Sequence, residues 1–173
     1  YPNKCSNACV IKHIFRQGRQ KVMLIRYLSP SISNNMTNGY VRAHEEAKIS
    51  VEKNFLLDWP SDCNGPDYEF KDKLVKAMKR QQYVDGLVAS DILIYKYRKS
   101  LYESNRTVPD NLSIVSINDT VYSKFMEPPL TTVPFPSTQI GKKAAEIITD
   151  RIEGKTYKHI HEYIVEDLVR RRS

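Results

Sequence analysis

Short polar side chains follow two apolar runs of the sequence that have the length of buried strands. Ser90 and Asp91 come directly after the run 86–89, and Asn118 comes at the end of the run 112–117. Hydroxyl, carboxylate and amide groups donate and accept hydrogen bonds, which is the chemistry that holds a small polyhydroxylated ligand. The sequence therefore predicts a ligand site among the residues that end these strands.

An aromatic ring occupies a comparable position. Phe135 lies in the segment 134–137, directly after the predicted strand 130–133, and the loop after Tyr27 follows the apolar run 22–25. An aromatic ring offers an apolar surface beside the polar groups. Phe135 therefore belongs to the predicted ligand site.

The same residues also have a purely structural interpretation. Ser90, Asp91 and Ser137 are residue types that cap helices, and Asn118-Asp119 is a pair that forms turns. For any one of these residues, the topology alone favours the structural interpretation.

The spacing of three possible metal ligands raises a second hypothesis, a metal site. Cys5, Cys9 and His13 are four residues apart, which places them on one face of a helix. Structural zinc usually takes four ligands, with closer cysteine pairs supplied by separate elements, so we expect no metal here. The sequence has no nucleophile elbow, P-loop or HExxH motif, and we expect neither an enzyme nor a cofactor.

The periodicity of the apolar residues predicts alternating helices and strands. Such alternation is typical of βαβ units, and it predicts an α/β fold with a mostly parallel, twisted sheet flanked by helices. In such sheets, ligands bind beyond the carboxyl ends of the strands. The predicted helices are 3–16, 39–47, 68–80, 91–104 and 137–151, the strands are 22–25, 54–57, 86–89, 112–117, 130–133 and 163–169, and 29–38 and 60–66 are loops.

The composition is that of an ordinary globular chain with a basic balance. Its 173 residues include 27 Lys and Arg against 20 Asp and Glu, a net charge of +7. These charges are scattered, except for 170–172, which favours a solvated surface over a phosphate-binding face. The apolar runs are too short to span a membrane, and three cysteines at unremarkable spacing favour a reducing cytoplasm over a disulfide framework.

Three strings in the second half resemble the ligand-binding core of the LacI/GalR family of bacterial transcription regulators. They are VPDNLSIVSIND at 108–119, PPLTTV at 128–133 with the helix opened by Gly141, and LVRRRS at 168–173. Weaker matches in the first half lie at 18–21, 38–43 and 85–91. The resemblance therefore covers almost the whole chain.

This resemblance implies a periplasmic-binding-protein-like core, with two α/β subdomains around a cleft. It places 1–20 in the N-terminal subdomain, 21–130 in the C-terminal effector-binding subdomain, 131–157 in a crossing strand and N-terminal-subdomain helix, and 158–173 in a return strand. It also implies that a DNA-reading segment, a helix-turn-helix or a winged helix, precedes Tyr1. Helices 3–16 and 137–151 would then lack much of their native sheet, and would be mobile or packed on a neighbouring molecule.

The resemblance also assigns binding positions one by one. Met36 stands where relatives often carry an effector-binding Arg, Ser90 stands where they carry Asn, and Asn118 stands for the first Asp of a pair. Asp91 matches its counterpart, and Phe135 lies near a segment that contacts the ligand. Met36 cannot offer the planar donor fork of a guanidinium.

The function implied is that of a cytoplasmic effector-sensing domain. It would bind a sugar or related small metabolite between the subdomains and regulate operator DNA binding allosterically, as a homodimer that makes no contact with membranes. A periplasmic sugar-binding protein of a transporter shares the fold and is the alternative.

Overall fold

The computed structural model describes residues 7–27, 29–59, 67–80, 83–103, 106–155, 164 and 166–173. Helices and strands alternate along these residues, and a short 3-10 turn at Lys53–Phe55 precedes the second strand. The elements are α1 Asn7–Arg16, β1 Val22–Tyr27, α2 Pro30–Ala47, β2 Leu56–Trp59, α3 Asp67–Arg80, β3 Gly86–Ser90, α4 Asp91–Tyr102, β4 Ser113–Asn118, α5 Val121–Phe125, β5 Thr131–Pro134 and α6 Ser137–Ile152.

The strands form one five-stranded sheet in the order β2-β1-β3-β4-β5, and every pair is parallel. The register pairs Val88 with Val115 and Ser90 with Ile117. All five residues of β3 are buried, as expected for a central strand with both faces covered. The predicted parallel α/β fold is confirmed.

Each face of the sheet buries its own apolar cluster. Successive side chains of a strand point to opposite faces. Met23 and Ile25 therefore enter the cluster under α3 and α4, whereas Val22 and Leu24 enter the cluster under α1 and α2. The largest fully buried side chains come from both clusters and include Ile11, Ile14, Met23, Leu24, Tyr40, Leu74, Leu87 and Ile114.

The first and last helices differ sharply in burial. Ile11 and Ile14 of α1 are 1% and 0% exposed in the second cluster, so the expectation that helix 3–16 lacks a sheet to pack on is wrong for the described part of that helix. By contrast, α6 buries none of its residues, and Ile152 is 82% exposed. The division of the chain between two subdomains stays a prediction, with α1 packed on the same sheet as α2.

Local differences from the predicted elements have physical causes. The predicted loop 29–38 is wrong, because α2 begins at Pro30, where a proline's fixed φ suits a first helical position. The sequence prediction also missed α5. Of the predicted strand 163–169, the described residues show one antiparallel bridge, between Val169 and Thr132. The predicted loop 60–66 lies outside the described residues.

Substitution of Gly86 tests the close approach of α1 to the sheet. A Cβ at this position would lie 2.7 Å from Ile14 Cγ2 and 3.0 Å from Val22 Cγ2. We expect Gly86→Ala to lower the free energy of unfolding by about 1–3 kcal/mol through overpacking, as measured by urea unfolding. Gly141→Ala is the control, because an added Cβ there would meet no neighbouring atom within 4 Å and the helix favours Ala. Equal effects of the two substitutions would contradict the packing of α1.

His44 makes the stability of the α1–α2 layer depend on pH. It is 1% exposed, its Nδ1 donates to the Tyr40 carbonyl at 2.8 Å, and its ring lies against Phe15. Burial lowers the pKa of His44 below its ordinary value of 6.5, and outweighs the opposing effect of the hydrogen bond to Tyr40. As the pH falls below 6.5, the unfolded chain takes up a proton that the folded chain binds only at lower pH.

The free energy of unfolding therefore falls on acidification, until the pH is below the lowered pKa of His44. We expect His44→Gln to remove this part of the pH dependence, measured by urea unfolding between about pH 7.5 and about pH 4.5. A constant difference between wild type and variant over that range would contradict the assignment. His13, whose pKa is also lowered by burial and by Arg170 and Arg16, contributes equally to both proteins.

Candidate functional site

The candidate site lies at the carboxyl edge of the sheet, where β3 and β4 end side by side. Ser90 is 2% exposed, and its Oγ accepts hydrogen bonds from the Tyr27 hydroxyl at 2.8 Å and from the Leu93 amide at 3.4 Å. The second bond caps α4, in agreement with the structural interpretation of Ser90. The first bond joins the end of β1 to the end of β3.

Asp91 connects the two adjacent strand ends. Its side chain is fully buried, and its two carboxylate oxygens accept the amide N–H groups of Ile92 and Thr120. Thr120 is the N-cap residue of α5, so one carboxylate orders the starts of α4 and α5 together. Both oxygens of Asp91 are therefore used within the chain.

Asn118 and Asp119 form a turn with unusual backbone geometry. Their φ angles are 98° and 51°, in the left-handed region that non-glycine residues seldom occupy. Such conformations cost about 1–3 kcal/mol each and persist where surrounding contacts hold them. The Asn118 carbonyl accepts the Phe135 amide at 3.1 Å, while its carboxamide makes no hydrogen bond to the described residues.

Asp119 is held by a hydroxyl and a guanidinium. Its Oδ1 accepts from Ser123 Oγ at 2.7 Å and from Arg171 Nη1 at 2.8 Å. The Asp119 and Arg171 side chains are only 16% and 17% exposed. Burial raises the pKa of Asp119, but the hydrogen bonds from Arg171 and Ser123 outweigh it, so the pKa lies below its ordinary value.

The segment 166–173 fastens this corner of the sheet. Besides Asp119, Arg171 Nη1 donates to the Leu130 carbonyl at 2.8 Å, and the Arg171 amide donates to Thr131 Oγ1 at 3.0 Å. Ser173 Oγ accepts the Thr131 amide and donates to the Ile114 carbonyl, at 2.8 and 2.6 Å. The segment therefore bridges β4 and β5 through side chains.

A second polar group lies at the ends of β1 and β2. Arg26 donates two hydrogen bonds to the Asp58 carboxylate, at 2.6 and 3.1 Å, and a third to Thr37 Oγ1 at 2.7 Å. Thr37 directly follows Met36, the position at which the family resemblance implies an Arg. The Arg26 donors near this position are engaged within the chain. The group adds charge-assisted rigidity to the same edge of the sheet.

The five predicted binding residues do not form one cluster. Ser90, Asp91 and Asn118 lie together, and Phe135 joins them through its backbone amide, while its ring is 61% exposed. Met36 is 4% exposed and packs in the apolar cluster under α1 and α2. The role of each of the five residues in ligand binding stays a prediction.

Sequence reasoning missed three residues of this site. Tyr27, Thr120 and Arg171 each contact a residue that the strand-end rule selects. A signal for Arg171 was present, because it lies in the LVRRRS string that carries the family resemblance. Thr120 Oγ1 is also buried without a hydrogen-bond partner in the described structure.

The predicted absence of a metal site and of a membrane span concerns the whole sequence, of which the structure describes a part. In the described ranges, no group of three or more His, Cys, Asp and Glu side chains could hold a metal ion. Cys9 is a free thiol, and Cys5 lies outside the described residues. None of the helices found within these ranges has the length and apolar character needed to cross a bilayer.

The chain matches a known protein family over most of its length. The model of the periplasmic binding protein-like domain family matches residues 11–173. The chain belongs to this family. The five-stranded parallel sheet and its polar carboxyl edge are thus those of a periplasmic binding protein-like domain.

Curated relatives of this periplasmic binding protein-like chain include transcriptional repressors. The HTH-type transcriptional repressor PurR of Vibrio atlanticus (strain LGP32) is 26% identical over 160 residues, which cover 90% of this chain and 47% of the repressor. PurR of Vibrio cholerae serotype O1 (strain M66-2) is 28% identical over 132 residues, 74% of this chain and 38% of the repressor. The chain thus spans less than half the length of these relatives.

Solved structures show the same fold. A LacI-family regulatory protein from Chloroflexus aggregans superposes with a TM-score of 0.83 at 17% identity, over 96% of this chain and 59% of that protein. The transcriptional regulator CelR in complex with cellobiose gives a TM-score of 0.81 at 22% identity, over 97% and 51%. With the family match and the PurR relatives, they confirm the resemblance to the LacI/GalR core.

The buried Asp91 provides a test of how this edge is held. Asp91→Ala leaves the amides of Ile92 and Thr120 without their acceptor, and we expect a loss of about 1–3 kcal/mol in the free energy of unfolding. Asp91→Asn keeps one acceptor oxygen, so its loss should be smaller. The control is Asp72→Ala on the exposed surface of α3, which should change stability by no more than about 0.5 kcal/mol. Urea unfolding measures all three variants, and an Asp91→Ala effect equal to that of the control would refute the bridging role.

Proposed function

We propose that this chain is the effector-binding core of a LacI/GalR-type transcription regulator, and that the carboxyl edge of β3 and β4 contacts the effector. The observation that carries the proposal is the Asn118 turn. Its backbone is held in a left-handed conformation while its carboxamide keeps both donor and acceptor capacity for a ligand. A rigid backbone that presents an unengaged polar group is what a preorganised binding site requires.

The proposed effector is a sugar or a related small metabolite. Within the candidate site, both carboxylate oxygens of Asp91 and Oδ1 of Asp119 accept hydrogen bonds from the chain itself, whereas the Asn118 carboxamide and the exposed ring of Phe135 are unengaged. An amide and a ring suit a neutral, polyhydroxylated molecule. The complex of CelR with cellobiose, a structure of the same fold, supports this class of ligand.

The proposed regulation is allosteric. Effector binding in a cleft between two subdomains would change their relative orientation and thereby the affinity of a homodimer for operator DNA. We assign operator recognition to a DNA-reading segment of helix-turn-helix or winged-helix type in the whole regulator, which would act in the cytoplasm. Several basic side chains of the described residues are paired with carboxylates, as in Arg26–Asp58 and Arg42–Glu46. Because such paired side chains are less suited to contacts with DNA phosphates, they support this assignment.

The alternative, a periplasmic sugar-binding protein, shares the fold. The matched PurR repressors, which cover up to 90% of this chain, favour the regulator. The same relatives favour a role without catalysis, since they are named as transcriptional repressors.

A thermal-shift screen tests the proposed function. Full-length protein is heated with monosaccharides, disaccharides including cellobiose, and sugar phosphates, and an effector should raise the melting temperature in a concentration-dependent way. Asn118→Ala should abolish the shift, because it removes the unengaged carboxamide. The control is Gln20→Ala, which removes an exposed carboxamide at the opposite edge of the sheet and should leave the shift unchanged.

Two results would count against the proposal. If no compound of the panel raises the melting temperature, the sugar class is wrong. If a compound raises it equally in wild type and Asn118→Ala, the ligand does not depend on this edge of the sheet.

A further inference from the structure

The Asn118–Asp119 turn needs restraints, because two successive non-glycine residues have positive φ angles. Three of its restraints come from nearby groups in the fold: the Phe135 amide on the Asn118 carbonyl, Asp91 on the Thr120 amide, and Ser123 on Asp119. The fourth restraint is the guanidinium of Arg171, which lies 52 residues from Asp119 in sequence. We propose that Arg171 is a positioning residue that holds this turn in its ligand-binding geometry; the proposal rests on the proposed function.

The geometry of Arg171 suits this role. One nitrogen, Nη1, donates both to Asp119 Oδ1 and to the Leu130 carbonyl, each at 2.8 Å. Leu130 immediately precedes β5, so the guanidinium fixes the turn after β4 relative to the neighbouring strand. The bond to Asp119 is charge-assisted, and its two side chains are only 16% and 17% exposed, which limits its screening by solvent.

Arg171 is itself anchored from both directions along the chain. Its amide donates to Thr131 Oγ1, Val169 exchanges two backbone hydrogen bonds with Thr132, and Ser173 bonds to Thr131 and Ile114. These contacts leave the guanidinium little freedom to leave the turn. Arg171 acts on the site through Asp119, because its described hydrogen bonds include none to Asn118 or Phe135.

The neighbouring Arg172 is a matched control. It carries the same charge in the same segment, but its side chain is 74% exposed, and its ion pair with Glu127 has an N–O distance of 3.8 Å with Glu127 87% exposed. Substitution of Arg172 therefore changes the net charge and the composition of the segment without removing a contact to the turn.

Hydrogen exchange of backbone amides in the full-length protein tests the proposal without a ligand. In Arg171→Gln, the amides of Thr120 and Phe135, which are bonded to Asp91 and Asn118, should exchange at least about tenfold faster than in wild type. The amides of Asp85 and Gly86, at the opposite end of the sheet, should keep their protection, because their bonds to the Lys21 carbonyl are distant from the turn. Arg172→Gln should leave all four amides unchanged, and Arg171→Lys should restore part of the protection.

Unchanged exchange at Thr120 and Phe135 in Arg171→Gln would overturn the proposal. So would equal acceleration of all four amides, since Arg171 would then act only on global stability. If Arg171→Gln fails to fold, Asp119→Asn makes the same test, because it keeps the side-chain shape and weakens the charge-assisted bond.

A binding arm separates this proposal from the proposed function. The thermal shift with the sugar panel, cellobiose included, is repeated on Arg171→Gln and Arg172→Gln. Where a compound shifts wild type, the shift should be lost in Arg171→Gln and kept in Arg172→Gln, and a full shift in Arg171→Gln would overturn the positioning role. If no compound shifts wild type, the assignment to sugars fails, and the exchange measurement alone decides whether Arg171 holds the turn.

Discussion

The parallel pairing of β3 with β4 is the constraint on which the rest of the structure depends. Parallel strands end at the same edge of a sheet, so the register that pairs Ser90 with Ile117 brings Asp91 next to the turn at Asn118. Parallel pairing also requires a crossover connection between the strands, here a helix, and a central strand such as β3 then has both faces covered. One pairing thus produces both the buried core and the polar corner at its end.

At that corner, the two carboxylates and the guanidinium hold the backbone. Asp91 accepts hydrogen bonds from two backbone amides, and Asp119 accepts a hydrogen bond from the guanidinium of Arg171. Unsatisfied buried amides would each be costly, so these contacts keep the strand ends in place. A ligand at this corner would therefore contact side-chain groups that form no hydrogen bond to the backbone, above all the Asn118 carboxamide.

Part of this arrangement could be predicted from the sequence. The short apolar runs before Ser90 and Asn118 identified two central strands and the residues that end them, because buried parallel strands have a continuous apolar pattern. The start of α2 could not be predicted from composition, since Ser, Asn and Pro are common in loops and the buried positions Met36 and Tyr40 count only once the sheet beneath them is known. The contact between Asp119 and Arg171 was similarly hidden, because it joins residues far apart in sequence and depends on the path of 166–173.

The two end helices show how far burial depends on partners rather than on pattern. Both α1 and α6 carry apolar residues at helical spacing, yet Ile14 is fully buried and Ile152 is 82% exposed. The difference arises because α1 lies over β3 and β4, where Gly86 leaves room for Ile14, whereas α6 follows the edge strand β5 and buries none of its residues. Amphipathic periodicity therefore identifies a helix correctly in both cases, but whether its apolar side is covered depends on the elements that the fold places against it, as α1 on the centre of the sheet shows.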